Sequence, residues 1–213
     1  GRAHATEAIA WFAEVLDRYL PEIESFANFP TLYMGLVNDA GTLELYDGRL
    51  RMAGQGGGGI EEQADPLAYQ TMIGEAVEPH SYLKSPFYKR YGYPDGIYRV
   101  GPLARLNIID RPGTPLADEA FKQFKHLDPR SSFHYHYARL IEIVACLEQI
   151  ERLLEAPDIL SHHVRAFATP NADEGVGISE APRGTLIHHY RVDRDGLVTY
   201  ANLIIATGHN NLA

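Results

Sequence analysis

Apolar residues recur every three or four positions in two long segments of the chain, which is the spacing of one face of an α-helix. In residues 6–27 charged side chains fill the opposite face, and Thr6 is suited to cap the start of the predicted helix. Pro21 falls late in this segment, where it is expected to kink or shorten the helix. Residues 132–156 carry the strongest apolar stripe, and Pro157 ends it. Two shorter helices are predicted over residues 66–76 and 114–127.

Short apolar runs separated by turn residues occupy much of the rest of the chain. Asp47-Gly48 lies between two such runs, residues 42–46 and 49–52, and predicts a hairpin with a two-residue turn. Near the end of the chain, residues 185–192 and 197–205 have the pattern of two strands joined by an Asp-Gly turn. Helices combined with short antiparallel hairpins place the chain in the α+β class.

Two segments follow neither pattern. Residues 54–59 are mostly glycine and predict a flexible loop, which lacks the Lys-Ser/Thr that would make it a phosphate-binding loop. Residues 79–105 are rich in Pro, Gly and Tyr. Linkers rarely carry so many aromatic residues, so this segment is expected to be irregular but ordered.

The composition is that of a folded protein, and its charge excludes some classes of function. The chain has 213 residues, with 19 Lys and Arg against 28 Asp and Glu, and a formal net charge of −9. This acidic balance argues against a general nucleic-acid binder and against attraction to an anionic membrane surface. No apolar stretch approaches the length of a membrane span. Cys146 is the only cysteine, which excludes an internal disulfide.

The ten histidines raise the question of a metal site, but their spacing does not favour one. His134 and His136 would point about 200° apart on a helix, so they are expected to pack at the helix start. His162-His163 and His188-His189 are adjacent pairs, which on a strand would point one side chain inward and one outward. Cys146 lies on the apolar stripe of the predicted helix and is expected to be a buried structural thiol.

Residues 175–184 combine glycines with Pro182, Arg183 and Gly184. Proline fixes φ before the arginine, and glycine lets the chain leave in an unusual direction. The segment therefore predicts a stiff loop that aims one guanidinium. A plain Pro/Gly turn with a solvated arginine is the simpler explanation of the same residues. Residues 101–105 form a second short segment of the same style.

Residues 180–188 resemble a signature of the large subunit of nickel–iron hydrogenases. In that family a hairpin and a Pro-Ser/Thr-x-x-Asn segment follow the signature. Here the predicted hairpin leads to residues 206–210, with Ala206 in the place of the proline. Residues 101–107 also resemble the family. The resemblance to the bidirectional, NAD-linked branch is carried by residues 29–37, 78–83 and 204–212.

The resemblance covers nearly all of the chain but only the middle of a hydrogenase large subunit. The family holds nickel and iron through two Cys-x-x-Cys motifs, one near each end of the subunit, and both are absent here. Because such a centre requires thiolates, residues 1–213 are expected to be a single internal fragment of the mainly helical large-subunit fold, without metal ligands. The fragment is expected to be inactive, to hold no metal or cofactor, and to self-associate through apolar surface that the missing ends would cover.

The resemblance implies roles for four residues around the metal centre. Arg183 matches an arginine suspended over the open metal position, where it would steer a proton or polarise the reacting hydrogen. Pro182, Thr207 and Ala206 match positions around the cyanide ligands of the iron. Hydrogen-bond donors at these positions would satisfy buried anionic ligands.

Two further assignments concern neighbouring residues. Leu203 matches a position whose backbone carbonyl binds a structural magnesium in relatives, although the matching side-chain ligands lie outside the chain. Glu180 is close to Arg183 in the sequence. It is expected either to orient the Arg183 guanidinium or to form a salt bridge elsewhere.

The resemblance also implies an activity and its partners. The parent subunit would interconvert molecular hydrogen with protons and electrons at a nickel–iron centre that carries cyanide and carbon monoxide. Electrons would pass through the iron–sulfur clusters of a small subunit and a diaphorase module to NAD in the cytoplasm. The acidic charge leads us to expect no nucleic-acid or membrane partner. Two alternatives stay open: a quinone-linked complex I subunit of the same ancestry, and a non-enzymatic module for subunit contacts. Arg183 favours hydrogenase, because the complex I subunit carries lysine there.

Overall fold

The chain alternates helices with short strands, and the computed structural model describes residues 1–55, 58–167, 169 and 171–212. The helices are α1 (Arg2–Ser25), α2 (Tyr69–Met72), α3 (Pro102–Ile108), α4 (Pro115–Phe124), α5 (His134–Leu154) and α6 (Ala206–His209). The strands are β1 (Leu32–Val37), β2 (Arg49–Ala53), β3 (Ile60–Ala64), β4 (Ile73–Ala76), β5 (Ser85–Tyr88), β6 (Tyr98–Arg99), β7 (Glu174–Ala181), β8 (Gly184–Val192) and β9 (Val198–Ile204). This mixture confirms the α+β class, and no helix within the described ranges is long and apolar enough to cross a membrane.

Helix α1 begins earlier than the sequence predicts. The Thr6 hydroxyl donates to the Arg2 carbonyl oxygen at 3.1 Å, so Thr6 lies inside the helix and is not its N-cap. The predicted kink is confirmed, because Tyr19, shortly before Pro21, has φ −124° and ψ 19°. Proline lacks a backbone N–H and its ring crowds the preceding turn, which breaks the helical ladder at this point.

The strand before Asp47-Gly48 is not where the sequence predicts it. β2 pairs antiparallel with β1 rather than with residues 42–46, so the predicted hairpin is wrong. The Glu44 carboxylate accepts hydrogen bonds from the backbone N–H groups of Leu45 and Tyr46, at 2.8 and 3.0 Å. These bonds close the segment into a turn of its own, which competes with strand pairing.

Three sheets are formed by the described residues: β3-β2-β1-β6, in which β1 and β6 are parallel, the pair β4-β5, and the antiparallel β7-β8-β9. The last sheet confirms the hairpin predicted from residues 185–192 and 197–205. It also contains a strand that the sequence does not predict, β7. Gly175 and Gly177 interrupt the apolar alternation of that strand, and glycine has a low preference for strands.

The remaining segments confirm some predictions and overturn others. The helices predicted over residues 114–127 and 132–156 are α4 and α5, with slightly different ends. The helix predicted over residues 66–76 is wrong beyond Met72, because the chain extends there to pair β4 with β5. Residues 79–105 are not irregular throughout, since they contain β5, β6 and the start of α3.

Two apolar clusters hold the elements together, and β1 contributes to both. Tyr33 belongs to the cluster that packs α1, α3, α4 and α5, with Phe12 and Ile141. Met34 belongs to the cluster between the sheets, with Ile187. Successive residues of a strand point to opposite faces, so β1 joins the helical side of the fold to the sheet that carries the β7–β8 turn.

Candidate functional site

The predicted loop 175–184 is a hairpin whose turn carries the candidate catalytic residue. Ala181 at the end of β7 is paired with Gly184 at the start of β8, so Pro182 and Arg183 form the two-residue turn. The stiff-loop prediction is wrong over most of its length, because the chain is strand up to the turn. Pro182 and Arg183 are both exposed, and the Arg183 side chain therefore stands at the tip of a hairpin.

The two segments of similar style, 101–105 and 180–184, pack directly against each other. A Cβ atom on Gly101, which has φ +96°, would lie 2.6 Å from the Arg183 carbonyl oxygen. A Cβ atom on Gly184, which has φ +139°, would lie 2.3 Å from Cγ2 of Val100. Both glycines are required by this close approach, which places the start of α3 beneath the turn.

Replacing Gly184 with alanine should destabilise the chain by about 1–3 kcal/mol, because the side chain would strain φ and collide with Val100. Urea unfolding of the 213-residue chain measures this change. Gly177→Ala is the matched control on the same hairpin, since a Cβ atom there has open space around it. Equal losses in the two variants would contradict the packing described for Gly184.

Helix α6 is anchored at the same place as the turn. The Asn210 side chain accepts a hydrogen bond from the Val100 N–H at 2.9 Å and donates to the Val100 carbonyl oxygen at 3.3 Å. The predicted site residues Ala206 and Thr207 lie in α6, where Ala206 is buried and Thr207 is exposed. The segment around Val100 therefore connects α6 to the Pro182–Arg183 turn. Leu203, on the neighbouring β9, is half-exposed.

His209, at the end of α6, is a buried histidine that no motif of the sequence singles out. Its Nδ1 lies 2.6 Å from the Tyr98 hydroxyl, and its Nε2 is buried with no hydrogen-bond partner among the described residues. Burial lowers the pKa of His209 from 6.5 to about 3, so the side chain is neutral at physiological pH.

The stability of the chain should fall on acidification, by up to about 1.4 kcal/mol per pH unit from His209 alone. The pKa of this group is depressed in the folded state, so unfolding takes up a proton as the pH falls from about 6.5 toward about 3. His209→Gln should remove this part of the slope. Urea unfolding of both proteins at neutral pH and at about pH 5 provides the measurement. If the free energy of unfolding changes equally with pH in the two proteins, His209 does not contribute to the loss of stability in acid.

A buried ionic cluster lies behind the turn and consists of Arg105, Glu142 and Glu180. Arg105 Nε and Nη2 donate to the two carboxylate oxygens of Glu142 at 2.6 and 2.7 Å. Arg105 Nη1 donates to Glu180 Oε2 at 2.7 Å. Glu180 Oε1 accepts from the Leu36 N–H at 3.0 Å and from the Thr185 hydroxyl at 2.8 Å. Of the two alternatives predicted for Glu180, the salt bridge elsewhere is confirmed, and its partner is Arg105 rather than Arg183.

Burial and charge act in opposite directions on Arg105. Its side chain is 2% exposed, and burial by itself lowers the pKa of the guanidinium. The hydrogen bonds and charges of Glu142 and Glu180 outweigh burial and raise that pKa above its ordinary value. Arg105 therefore carries a permanent charge. It sits on α3 among the apolar residues Leu103 and Leu106, and an arginine in that position is a sequence signal for a buried ion pair.

The histidines and the cysteine show no arrangement for metal binding within the described residues. His134 is buried at the start of α5, as predicted, with Nδ1 2.7 Å from the Asp128 carbonyl oxygen. His136, which is predicted to pack there too, is exposed and lies edge-on to the Phe133 ring. The prediction that one histidine of an adjacent pair points inward and the other outward is confirmed for the second pair, in which His189 is buried and His188 is half-buried. The same prediction is wrong for His162-His163, because both are exposed and lie outside any strand.

Cys146 is half-buried rather than fully buried. It lines an apolar cavity of about 330 Å³ that reaches Pro182. Burial raises the pKa of its thiol, which keeps the group protonated and unreactive. A structural role fits Cys146, as the sequence predicts.

Curated proteins that are similar in sequence to this chain are hydrogenase subunits. The chain is 42% identical over 212 residues to a vhu-type F420-non-reducing hydrogenase subunit of Methanocaldococcus jannaschii, and the match covers 97% of this chain and 50% of that protein. It is 39% identical over 214 residues to the NAD-reducing hydrogenase HoxS subunit beta of Cupriavidus necator, covering 98% of this chain and 44% of that protein. The chain thus spans about half the length of these relatives. No family model matches the chain.

Solved structures agree with this result. An NAD+-reducing [NiFe]-hydrogenase in the H2-reduced state superposes with a TM-score of 0.92 at 43% identity, over 99% of this chain and 47% of that one. A [NiFeSe]-hydrogenase of Dm. baculatum superposes with a TM-score of 0.69 at 18% identity, covering 98% of this chain and 48% of that one, which shows a shared fold. The elements described above are therefore those of about half of such a subunit.

Proposed function

Because the chain belongs to the family of nickel–iron hydrogenase large subunits, we propose that it is an internal part of a subunit that interconverts molecular hydrogen with protons and electrons. The observation that carries the proposal is the TM-score of 0.92 over 99% of the chain with an NAD+-reducing [NiFe]-hydrogenase. We assign the chemistry to the exposed Pro182–Arg183 turn. Gly101 and Gly184 allow the chain to pack closely against this turn, and the buried Arg105 donates a hydrogen bond to the Ala181 carbonyl oxygen just before it.

The residues present do not by themselves fit a nickel–iron centre. The described residues contain no group of three or more His, Cys, Asp or Glu side chains that could hold a metal ion, and the sequence has one cysteine. A thiolate-bound centre would therefore take its ligands from outside these 213 residues. The isolated chain is accordingly proposed to be inactive.

We propose that this chain supplies the surroundings of the centre. Arg183 is the catalytic residue, because a guanidinium keeps its charge at any physiological pH and can orient a proton or a polarised hydrogen molecule. Pro182, Ala206 and Thr207 would lie around the cofactor, with the Thr207 hydroxyl or amide as a hydrogen-bond donor to a cyanide ligand. The common anchorage of the turn and α6 at Val100 supports this grouping.

The electron acceptor is proposed to be NAD, reached through a small subunit with iron–sulfur clusters and a diaphorase module in the cytoplasm. The NAD-reducing relative and the NAD+-reducing structure, at 39% and 43% identity, support this proposal. The M. jannaschii relative, at 42%, is named only as F420-non-reducing, so identity alone does not separate the acceptors. The complex I alternative is not favoured, because these relatives are all hydrogenases.

Hydrogen-dependent reduction of two acceptors by the complete purified complex tests the proposal. We expect reduction of both a viologen dye and NAD+. Reduction of the dye without NAD+ would retain the hydrogenase assignment and overturn the NAD link. Failure with both acceptors in a complex that contains nickel would overturn the function itself.

Self-association of the isolated chain is also proposed. Leu160, Val164 and Phe167 follow one another along the chain beyond α5, and each is more than four-fifths exposed. Exposed apolar surface of this kind drives association in solution.

A further inference from the structure

Arg105 contacts the hairpin immediately before its turn. Its Nη1 donates both to the Ala181 carbonyl oxygen at 3.0 Å and to the Glu180 carboxylate at 2.7 Å. These are the last two residues of β7 before Pro182. We propose that Arg105 is a positioning residue for Arg183: it holds the turn in place and so determines where the Arg183 guanidinium stands. This inference rests on the proposed function.

Arg105 is itself held in a single orientation. The two-pronged contact with Glu142 joins α3 to α5, and its geometry fits the planar guanidinium. The arginine is 2% exposed, so water does not compete for these donors. The Arg105 guanidinium is therefore fixed relative to α3 and α5. Its hydrogen bonds to Glu180 and Ala181 fix the end of β7 relative to these two helices.

The strand that receives this contact is fixed along its own length. Glu180 donates its backbone N–H to the Leu45 carbonyl oxygen at 2.7 Å. Its side chain accepts from Leu36 and Thr185, at 3.0 and 2.8 Å. Of the four residues from Ala181 to Gly184, Arg183 alone has a long side chain, and it is exposed.

Stability alone does not account for this cluster. Two carboxylates and one guanidinium lose their hydration when they are buried, and apolar residues of the same volume stabilise a core equally well or better. What apolar residues cannot supply is a directed hydrogen bond to the Ala181 carbonyl oxygen. The backbone of Gly101 also packs close to the Arg183 carbonyl oxygen, so the start of α3 contacts the turn after Pro182 as well as before it.

Arg105→Lys in the complete enzyme complex tests the proposal. Lysine keeps the charge but loses the fork that contacts Glu142, Glu180 and Ala181 together. We expect hydrogen turnover to fall about 10- to 100-fold, with an unchanged KM for hydrogen and unchanged nickel content. Arg139→Lys is the control, because Arg139 is an exposed arginine on α5 next to the same cavity. Wild-type turnover in Arg105→Lys would overturn the proposal.

A double-mutant cycle separates positioning from a general structural effect. If Arg105 acts through Arg183, then Arg183→Lys will lower hydrogen turnover by a much smaller factor in the Arg105→Lys variant than in the wild type. Independent, multiplicative losses would overturn the proposal. Absence of hydrogen turnover in the nickel-containing wild-type complex would instead remove the proposed function, which distinguishes the two failures.

A milder variant keeps the test decisive if Arg105→Lys fails to assemble. Thr185→Val preserves the shape of the side chain and removes only the hydrogen bond to Glu180. It should lower turnover about 3- to 10-fold with normal nickel content. Unchanged turnover in this variant would overturn the proposal.

Discussion

Replacing Arg183 with lysine in the complete enzyme should lower hydrogen turnover about 100-fold while the nickel content stays at the wild-type level. Arg183 is exposed at the tip of the β7–β8 hairpin, so the substitution leaves the fold intact. Lysine provides a compact, strongly hydrated charge and cannot reproduce the planar, multiply donating guanidinium. Hydrogen-dependent dye reduction and elemental analysis of the same preparation give the two quantities.

The matched control for this variant is Arg194→Lys. Arg194 is an exposed arginine in the neighbouring turn between β8 and β9, and it should tolerate the change without loss of turnover. Loss of nickel in Arg183→Lys would assign Arg183 a role in assembly of the centre. Wild-type turnover in Arg183→Lys would show that Arg183 does not take part in catalysis.

Replacing Glu180 with alanine should lower the free energy of unfolding by about 3–5 kcal/mol. The substitution leaves the Arg105 guanidinium one acceptor short in a buried site, and it removes the acceptor of the Leu36 N–H and the Thr185 hydroxyl. Unpaired buried donors keep the full cost of their lost hydration. Urea unfolding of the 213-residue chain measures the change.

Glu174→Ala provides the comparison on the same strand. Glu174 pairs with Arg191 and His189, but its side chain is 47% exposed, so water can replace it. Its removal should cost less than about 1 kcal/mol. Equal losses of unfolding free energy for the two glutamates would show that removing Glu180 does not leave buried donors unpaired.

The long helices and the last hairpin can be predicted from sequence because their signals are local. The apolar stripe of α5 and the Asp-Gly turn between β8 and β9 need no distant partner to be recognised. The Asp47-Gly48 hairpin carries the same local signal and is wrong. The true partner of β2 is β1, and the Glu44 carboxylate holds the intervening segment in a turn.

In the candidate site, too, features that depend on distant partners cannot be predicted from the sequence. The Pro/Gly pattern draws attention to Arg183, but a turn with a solvated arginine explains that pattern more simply. Arg183 and Thr207 are therefore assigned to the site by resemblance to a family. The partner of Glu180 cannot be predicted from sequence, because Arg105 is 75 residues away along the chain. Only packing brings α3 beneath the turn, where Gly101 and Gly184 permit the close approach.

Hydrogen uptake per nickel in the complete purified complex tests most directly whether this chain is part of a hydrogenase catalytic subunit. We expect uptake to rise in proportion to the nickel bound and to be lost when nickel is absent. A complex that contains stoichiometric nickel and takes up no hydrogen would contradict the assignment.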